Sequence, residues 1–172
     1  MTHGIIGNNW FDRKTNRSIY CTEDGNYDNI GGDDYSGNKS PKNLLVETFA
    51  DLNKINNSDS KTISIAIKDR GSILMGGKNA DAAYWYYGKD RAQWITSTYY
   101  MNQLPQWVKD FNNEENLVKY LEDWVTLNDI STYENFQIDN NNYEKRFNGK
   151  ENSAFPYNIK ELMKHNECFD MI

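Results

Sequence analysis

Residues 61–67 form the segment that most restricts how this chain can fold. Their sequence, Lys-Thr-Ile-Ser-Ile-Ala-Ile, places isoleucine at every second position and contains neither glycine nor proline. Such period-two spacing of β-branched residues predicts a strand. Because the residues between the isoleucines are small, we expect other elements to cover this strand on both faces, as in a parallel sheet.

A helix is predicted immediately before this strand. Ser40 is a favourable cap and Pro41 suits the first helical position. The residues that then share one helical face are Leu44, Leu45, Thr48, Phe49 and Leu52. The helix is expected to end near Asn56 and Asn57. A helix joined to a strand by a short turn is half of an α/β unit.

The rest of the chain continues the α/β pattern and then becomes rich in loops. Two aromatic and β-branched runs, residues 81–87 and 93–100, flank a turn at Gly88-Lys89-Asp90 and predict a hairpin or two neighbouring strands. Short helices are expected at residues 104–111, 114–121 and 158–163. Residues 22–40 and 128–154 are polar and are predicted to be loops.

Charge and hydropathy exclude several classes of protein. The 172 residues, 38% hydrophobic and 26% charged, are enough for one globular domain. The net charge of -6 provides no basic field for nucleic acid, and no apolar run is long enough to span a membrane. No signal peptide is visible after Met1, which leaves two alternatives: a cytoplasmic protein, or a chain whose N-terminal part is missing.

The cysteines and histidines are too few and too far apart to form a metal motif. Cys21 and Cys168 are predicted to be free, partly buried thiols, with a disulfide left open for an exported protein. The two histidines, His3 and His165, cannot build a histidine-rich zinc site by themselves. Four loop acids are candidate metal ligands, with solvated acids as the more common alternative: Asp33, Asp34, Asp139 and Glu144.

A charged cluster, Lys68-Asp69-Arg70-Gly71, directly follows the predicted strand. In open α/β sheets, ligands collect at the carboxyl ends of strands. Arginine offers a planar fork to phosphate oxygens and lysine a mobile point charge, so Lys68 and Arg70 are a candidate anion clamp. On spacing alone, a charged turn that faces water is favoured.

Two further clusters are candidates for binding. The segment His3-Gly4-Ile5-Ile6-Gly7-Asn8 places an amide donor, Asn8, just beyond two glycines, either near an anion or in a simple turn before an edge strand. The aromatic cluster predicts either a platform for a sugar or nucleobase or, more commonly, a strand core with tyrosines at its rim. Its members are Tyr84, Trp85, Tyr86, Tyr87, Trp94, Tyr99, Tyr100 and Trp107.

Two segments of the chain resemble a known family. His3-Gly4-Ile5-Ile6-Gly7-Asn8-Asn9-Trp10-Phe11-Asp12 resembles the HGI-x-x-N-x-(W/M)-(Y/F)-D segment of the type I phosphodiesterase/nucleotide pyrophosphatase branch of the alkaline phosphatase superfamily. Residues 65–74 and Ala82-Ala83-Tyr84-Trp85 are similar to the matching region of bacterial phosphate-irrepressible alkaline phosphatases. In this branch the Lys-x-Arg motif separates monoesterase-like members from diesterases.

The resemblance implies an α/β fold: part of an alkaline-phosphatase-like core sheet with flanking helices, plus a loop-rich inserted or cap region. Residues 1–172 would form a single partial domain, with a core-like region at 2–112 and a loop-rich helical cap region at 113–172. The longer protein would be periplasmic or secreted.

The resemblance also implies a reaction and a site. Asn8, Lys68 and Arg70 would be the catalytic and substrate-binding residues that hold the oxygens of a phosphate monoester. The family's threonine nucleophile lies shortly before the His-Gly-Ile segment, and hence outside this chain. Its two zinc ions (Zn2+) are held by Asp and His ligands that cannot be matched here, so no metal ligand is assigned and the chain alone is expected to be inactive. Two alternatives stay open: a non-catalytic carbohydrate- or peptide-binding module, and a degenerate family member that binds phosphate without hydrolysing the ester.

Overall fold

The computed structural model describes residues 3–32, 35–88, 93–114, 119, 121–133, 140 and 143–164. The chain divides into two compact units, residues 1–114 and residues 115–172. No helix within the described ranges has the length and apolar character needed to cross a bilayer. The helix predicted at 114–121 lies largely outside the described residues, as do Lys89 and Asp90 of the predicted turn.

The first unit is a mixed α/β structure built around a four-stranded sheet. The strands of the unit are β1 (Asn9–Asp12), β2 (Arg17–Tyr20), β3 (Asn29–Ile30), β4 (Ile63–Ala66), β5 (Ala82–Tyr87) and β6 (Gln93–Ser97). β1 and β2 pair as a separate hairpin, and the other four form the sheet. Its helices are α1 (Phe49–Asn56), α2 (Asp69–Gly76) and α3 (Gln106–Asn113), with a 3-10 turn at Tyr35–Gly37. The strand order is β3-β6-β5-β4, in which β4 and β5 are parallel and the other pairs antiparallel. This arrangement confirms the predicted α/β class and the predicted hairpin.

One face of β4 is open, which corrects the prediction that the strand is covered on both sides. Ile63, Ile65 and Ile67 are 56%, 55% and 52% exposed. β4 is also the last strand of the described sheet, since its one neighbour there is β5. The alternation of isoleucines with small residues therefore belongs to a strand with one packed face and one exposed apolar face.

The packed face of β4 lies against α2, and small residues bring the two elements close together. The Ser72 hydroxyl donates to the Ser64 carbonyl oxygen at 2.9 Å. A Cβ added at Gly76 would lie 3.1 Å from the Ser64 Cβ, and one added at Gly71 would lie 3.2 Å from the Ala66 Cβ. This close packing fixes the N-terminus of α2 at the carboxyl end of β4.

The helix predicted from Ser40 begins only at Phe49. The Thr48 hydroxyl accepts the Asp51 N–H at 3.0 Å, while the Asp51 carboxylate accepts the Thr48 N–H at 2.9 Å, which is a reciprocal capping box. Ser40 does not cap a helix, because its hydroxyl donates to the buried Asp24 carboxylate at 2.5 Å. The predicted start is therefore wrong, and the predicted end is confirmed.

Two apolar clusters form the core of the first unit, and both draw on β5. The first consists of Ile73, Ala83, Trp85, Tyr87 and Ile95, with Tyr100 packed against it. The second consists of Ala82, Tyr84, Leu104 and Val108, with Ile30, Trp94 and Met101 packed against it. Alternate residues of a strand face opposite sides, so β5 is the central buried strand of the sheet.

The second unit has its own small core. Its elements are β7 (Asp123–Trp124), a 3-10 turn (Ile130–Thr132), β8 (Tyr157–Asn158) and α4 (Ile159–Lys164), with β7 and β8 antiparallel. Tyr157 and Leu162 are buried, and the residues packed against them are Phe147, Phe155, Ile159 and Met163. The short helix predicted at 158–163 is thus confirmed, in a unit otherwise made largely of turns.

Candidate functional site

The N-terminal segment is held close to the chain and leads into the hairpin of β1 and β2. Gly4 has a φ of 86°, and a Cβ there would lie 2.4 Å from the Asn43 carbonyl oxygen, so a side chain does not fit. Asn8 is exposed at the start of the hairpin, and its carbonyl accepts the Cys21 N–H at 2.9 Å. The predicted amide donor therefore lies beside the end of β2.

Lys68 and Arg70 lie at the carboxyl end of β4, where the sequence predicts them. Lys68 is exposed and occupies the N-cap of α2, without a side-chain capping bond of its own. Arg70 is half-buried in the first helical turn. Because the first N–H groups of a helix have no acceptor within it, this end of α2 adds partial positive charge to that of the two side chains.

Asp69 lies between the two cations and is fixed by side chains distant in sequence. Its Oδ1 accepts the Tyr20 hydroxyl at 2.6 Å, and its Oδ2 accepts the Thr22 hydroxyl at 2.9 Å. The Lys39 Nζ lies 3.6 Å from the same Oδ2. Asp69 therefore does not cancel the charge of its neighbours by pairing with them, because its carboxylate points toward the hairpin and Lys39.

Tyr20 connects this carboxylate with Arg70. Arg70 Nη1 donates to the Tyr20 hydroxyl oxygen at 3.2 Å. Burial, followed by the hydrogen bond to Asp69, raises the pKa of Tyr20 to about 12, so the hydroxyl keeps its proton at neutral pH. The hydrogen bond with Tyr20 in turn raises the pKa of Arg70 above its usual value, which keeps the guanidinium cationic.

The structure thus places Lys68 and Arg70 at the carboxyl end of β4 and links Arg70 to the hairpin that Asn8 begins. Arg70 donates a hydrogen bond to the Tyr20 hydroxyl of the hairpin. The N–H of Cys21, the residue after Tyr20, donates to the Asn8 carbonyl. No sequence motif identifies Tyr20, Thr22 or Lys39, which surround Asp69. Tyr20 ends β2 and Thr22 lies in the turn that follows it, and no local pattern reveals that both side chains bond to Asp69.

The described residues do not fit a zinc site. In the ranges that the structure describes, no group of three or more His, Cys, Asp or Glu side chains is placed to hold a metal ion. The candidate ligands Asp33, Asp34 and Asp139 lie outside the described residues, and so does His165. Glu144 is exposed in the second unit. No catalytic step through a metal is derived from these side chains.

The two cysteines differ in what is described of them. Cys21 is free and buried, which confirms the prediction for this residue. Burial, followed by the charge of Asp69, raises the pKa of its thiol. Cys168 lies outside the described residues. Cys21 therefore behaves as a small apolar residue next to the site.

The aromatic cluster belongs mainly to the core. Tyr84 and Trp85 are each 3% exposed and take part in the two apolar clusters that flank β5. One apolar recess remains open, lined by Ile65, Tyr84, Trp94, Trp107, Val108 and Phe111. Sugars are bound through well-placed polar groups together with aromatic surface, so this apolar lining supports the interpretation of the cluster as core.

Comparison with known proteins gives a consistent set of relatives. The model of the family "Type I phosphodiesterase / nucleotide pyrophosphatase" matches residues 1–163. Alkaline phosphatase PhoV of Synechococcus elongatus is 47% identical over 95% of this chain and 30% of its own length. A Myroides odoratus protein named calcium-transporting ATPase is 46% identical over 95% of this chain and 30% of its own length.

Solved structures of alkaline phosphatase PafA match the fold. PafA of Elizabethkingia meningoseptica is 39% identical over 90% of this chain. Its wild-type crystal structure matches with a TM-score of 0.83 and 37% identity, over 94% of this chain and 32% of PafA. A PafA variant with Thr→Ser, Asn→Ala, Lys→Ala and Arg→Ala substitutions also matches, with a TM-score of 0.83 and 36% identity. The chain spans about a third of the length of the relatives it matches.

Proposed function

Because this chain belongs to the type I phosphodiesterase/nucleotide pyrophosphatase family of the alkaline phosphatase superfamily, we propose that it is the phosphate-gripping part of a hydrolase of phosphate monoesters. The resemblance of the His-Gly-Ile and Lys-Asp-Arg segments to this family is confirmed, and so is the alkaline-phosphatase-like fold. The substrate class and the roles of individual residues belong to the proposal.

The observation that carries the proposal is the position of two cationic residues, Lys68 and Arg70, at the carboxyl end of β4. Lys68 occupies the N-cap position of α2, and Arg70 is hydrogen-bonded to Tyr20 on the hairpin that Asn8 begins. The PafA variant supports the same set, because its substituted residues include an asparagine followed by a lysine and an arginine two positions apart. Asn8, Lys68 and Arg70 occur in the same order and with the same Lys-x-Arg spacing.

This arrangement suits a monoester better than a diester. A monoester dianion has more charge on its terminal oxygens than a diester, so two cations and an amide donor contribute more to its binding. Charge on the transferring phosphoryl group is spread over its non-bridging oxygens. Electrostatic stabilisation by fixed donors aimed at those oxygens is usually the largest single contribution to catalysis. We assign Lys68 and Arg70 to two of the oxygens and the Asn8 amide to a third contact.

The nucleophile and the metals are proposed to lie outside this chain. The PafA variant also carries a substituted threonine that precedes its asparagine. A threonine in the corresponding part of a longer protein would be the nucleophile. Two zinc ions, held by residues of that longer protein, would activate the nucleophile and stabilise the leaving oxygen. We further propose that the longer protein is periplasmic or secreted and that residues 1–172 form part of one catalytic domain.

A substitution of Arg70 in the longer protein tests the phosphate contact. We expect Arg70→Ala to lower kcat/KM for p-nitrophenyl phosphate by about 100-fold or more, the usual effect of removing one fixed donor. Arg13→Ala is the matched control, because Arg13 is an exposed arginine in the turn between β1 and β2. Equal activities of the two variants would contradict the assignment of Arg70.

The isolated chain tests where the rest of the machinery lies. With added zinc, residues 1–172 are expected to hydrolyse p-nitrophenyl phosphate no faster than a protein-free blank. Turnover that is well above the blank and is lost in Lys68→Ala would contradict the proposal that the nucleophile and zinc ligands lie elsewhere.

A further inference from the structure

We propose that Tyr20, on the hairpin that Asn8 begins, is the positioning residue for Arg70. This inference rests on the proposed function of Arg70. It concerns a residue that the sequence motifs do not contain, and it makes the geometry of the phosphate contact depend on a second segment of the chain.

The Tyr20 hydroxyl makes two hydrogen bonds of opposite direction. It donates to Asp69 Oδ1 at 2.6 Å and accepts from Arg70 Nη1 at 3.2 Å. A phenol has one proton to donate and can also accept, so these two bonds fix the direction of its O–H. Because burial and Asp69 keep the hydroxyl protonated at neutral pH, this arrangement persists under ordinary conditions.

The position of Tyr20 is itself fixed. The Lys39 Nζ lies 4.3 Å from the centroid of the Tyr20 ring, a cation–π distance, and 3.6 Å from Asp69 Oδ2. Thr22 holds the same Oδ2 at 2.9 Å. The ring, the carboxylate and the ammonium group therefore form a closed set of contacts in which Tyr20 is the member that touches Arg70.

The benefit to Arg70 is orientation. A guanidinium has five N–H donors in a rigid planar fork, so the bond to Tyr20 restricts its orientation and leaves other donors for phosphate oxygens. Without the hydroxyl, the flexible stem of the side chain samples several rotamers, and fewer of them match the transferring group. Misplacement of a binding group by about 1 Å can cost roughly 100-fold in rate, so a partial loss of orientation should cost less than removal of Arg70.

The backbone at Tyr20 pairs with the strand that Asn8 leads into. Tyr20 is the last residue of β2 and is paired with Asn9, and the following N–H, that of Cys21, donates to the Asn8 carbonyl at 2.9 Å. One phenol thus connects the segment that presents Asn8 with the helix that presents Arg70.

A double-mutant cycle in the longer protein tests the inference, with kcat/KM for p-nitrophenyl phosphate as the readout. Tyr20→Phe removes only the hydroxyl, and we expect an activity loss of about 5- to 30-fold, smaller than that of Arg70→Ala. In the Arg70→Ala background, Tyr20→Phe should change activity by less than about twofold, since the group it positions is gone. A tyrosine that only stabilises the fold would lower both backgrounds alike, which would overturn the proposal.

Two further variants keep the test informative. Lys39→Met removes the cation over the Tyr20 ring and should give a smaller loss that also disappears in the Arg70→Ala background. Thr22→Val removes a bond to Asp69 Oδ2, the carboxylate that holds Tyr20, and should likewise give a small loss that disappears in the Arg70→Ala background. If Tyr20→Phe has wild-type activity while Arg70→Ala is impaired, the positioning role of Tyr20 is refuted but the phosphate contact of Arg70 is not. If Arg70→Ala is unimpaired, the proposed phosphate contact fails as well.

Discussion

The buried carboxylate of Asp51 is expected to stabilise the fold, and its contribution to the free energy of unfolding follows from its hydrogen bonds. Asp51 is fully buried, and its oxygens accept the Thr48 N–H at 2.9 Å and the Asn79 N–H at 2.6 Å. Asp51→Asn keeps the shape but leaves one carbonyl oxygen for two N–H donors on different sides. Loss of a hydrogen bond to a charged group costs about 1.5–3 kcal/mol, and an unpaired buried N–H adds about 1 kcal/mol or more. We expect a total loss of about 3 kcal/mol in the free energy of unfolding.

Urea denaturation of the 172-residue chain at low concentration measures this loss. With a slope of about 2 kcal/mol per molar urea, the midpoint should fall by about 1.5 M at neutral pH. Asp59→Asn is the matched control, because Asp59 is an exposed aspartate in the turn after α1, and its midpoint should stay within about 0.3 M of wild type.

The same variant has a defined pH dependence. Burial alone would raise the pKa of Asp51, but the N–H groups of Thr48 and Asn79 outweigh it, and the net pKa lies below 3.8. A lowered folded-state pKa means that the stabilisation is present above the unfolded pKa and disappears as the pH falls through the folded one. The gap between wild type and Asp51→Asn should therefore narrow only in acid below 3.8. A midpoint unchanged at neutral pH, or a gap that widens in acid, would refute the reasoning.

Two other predictions concern the backbone near α2 and the open face of β4. Gly77→Ala should cost at least about 2 kcal/mol, because Gly77 has a φ of 78° and a Cβ there would lie 2.1 Å from Asp51 Oδ2. Gly25→Ala, where a Cβ meets nothing within 4 Å, is the control in the same urea assay, and equal losses would contradict the steric argument. The isolated chain should self-associate through the exposed isoleucines of β4, and Ile63→Lys should reduce its weight-average mass in sedimentation equilibrium. A wild-type chain that stays monomeric at high concentration would contradict this expectation.

The sequence predicts the local elements of the first unit well because their signals are local. Alternating isoleucines identify β4, and two aromatic runs around a glycine turn identify β5 and β6. Ser40 misled the prediction because its hydroxyl bonds to Asp24, which is 16 residues away, rather than to the next helical turn. The exposure of one face of β4 likewise depends on which elements pack against the strand, and the spacing of its isoleucines does not predict those neighbours.

In the candidate site, too, local sequence signals predict some residues, and contacts between distant segments determine the others. Lys68 and Arg70 follow a strand, and the rule that ligands collect at strand ends locates them. Tyr20 bonds to Asp69, which is 49 residues away, and neither residue belongs to a spacing pattern that predicts the pair. Such contacts depend on the packing of the hairpin against α2, so they become visible only in three dimensions.

The proposed role of Lys68 and Arg70 is to bind the extra negative charge that a phosphate monoester has over a diester. The measurement that tests it most directly is the ratio of kcat/KM for p-nitrophenyl phosphate to kcat/KM for bis-p-nitrophenyl phosphate, in the longer protein and in its Lys68→Ala/Arg70→Ala variant. We expect the variant's ratio to fall by about 100-fold or more, because the diester loses less on removal of the two cations. A ratio that stays the same, with both activities reduced in parallel or neither reduced, would contradict it.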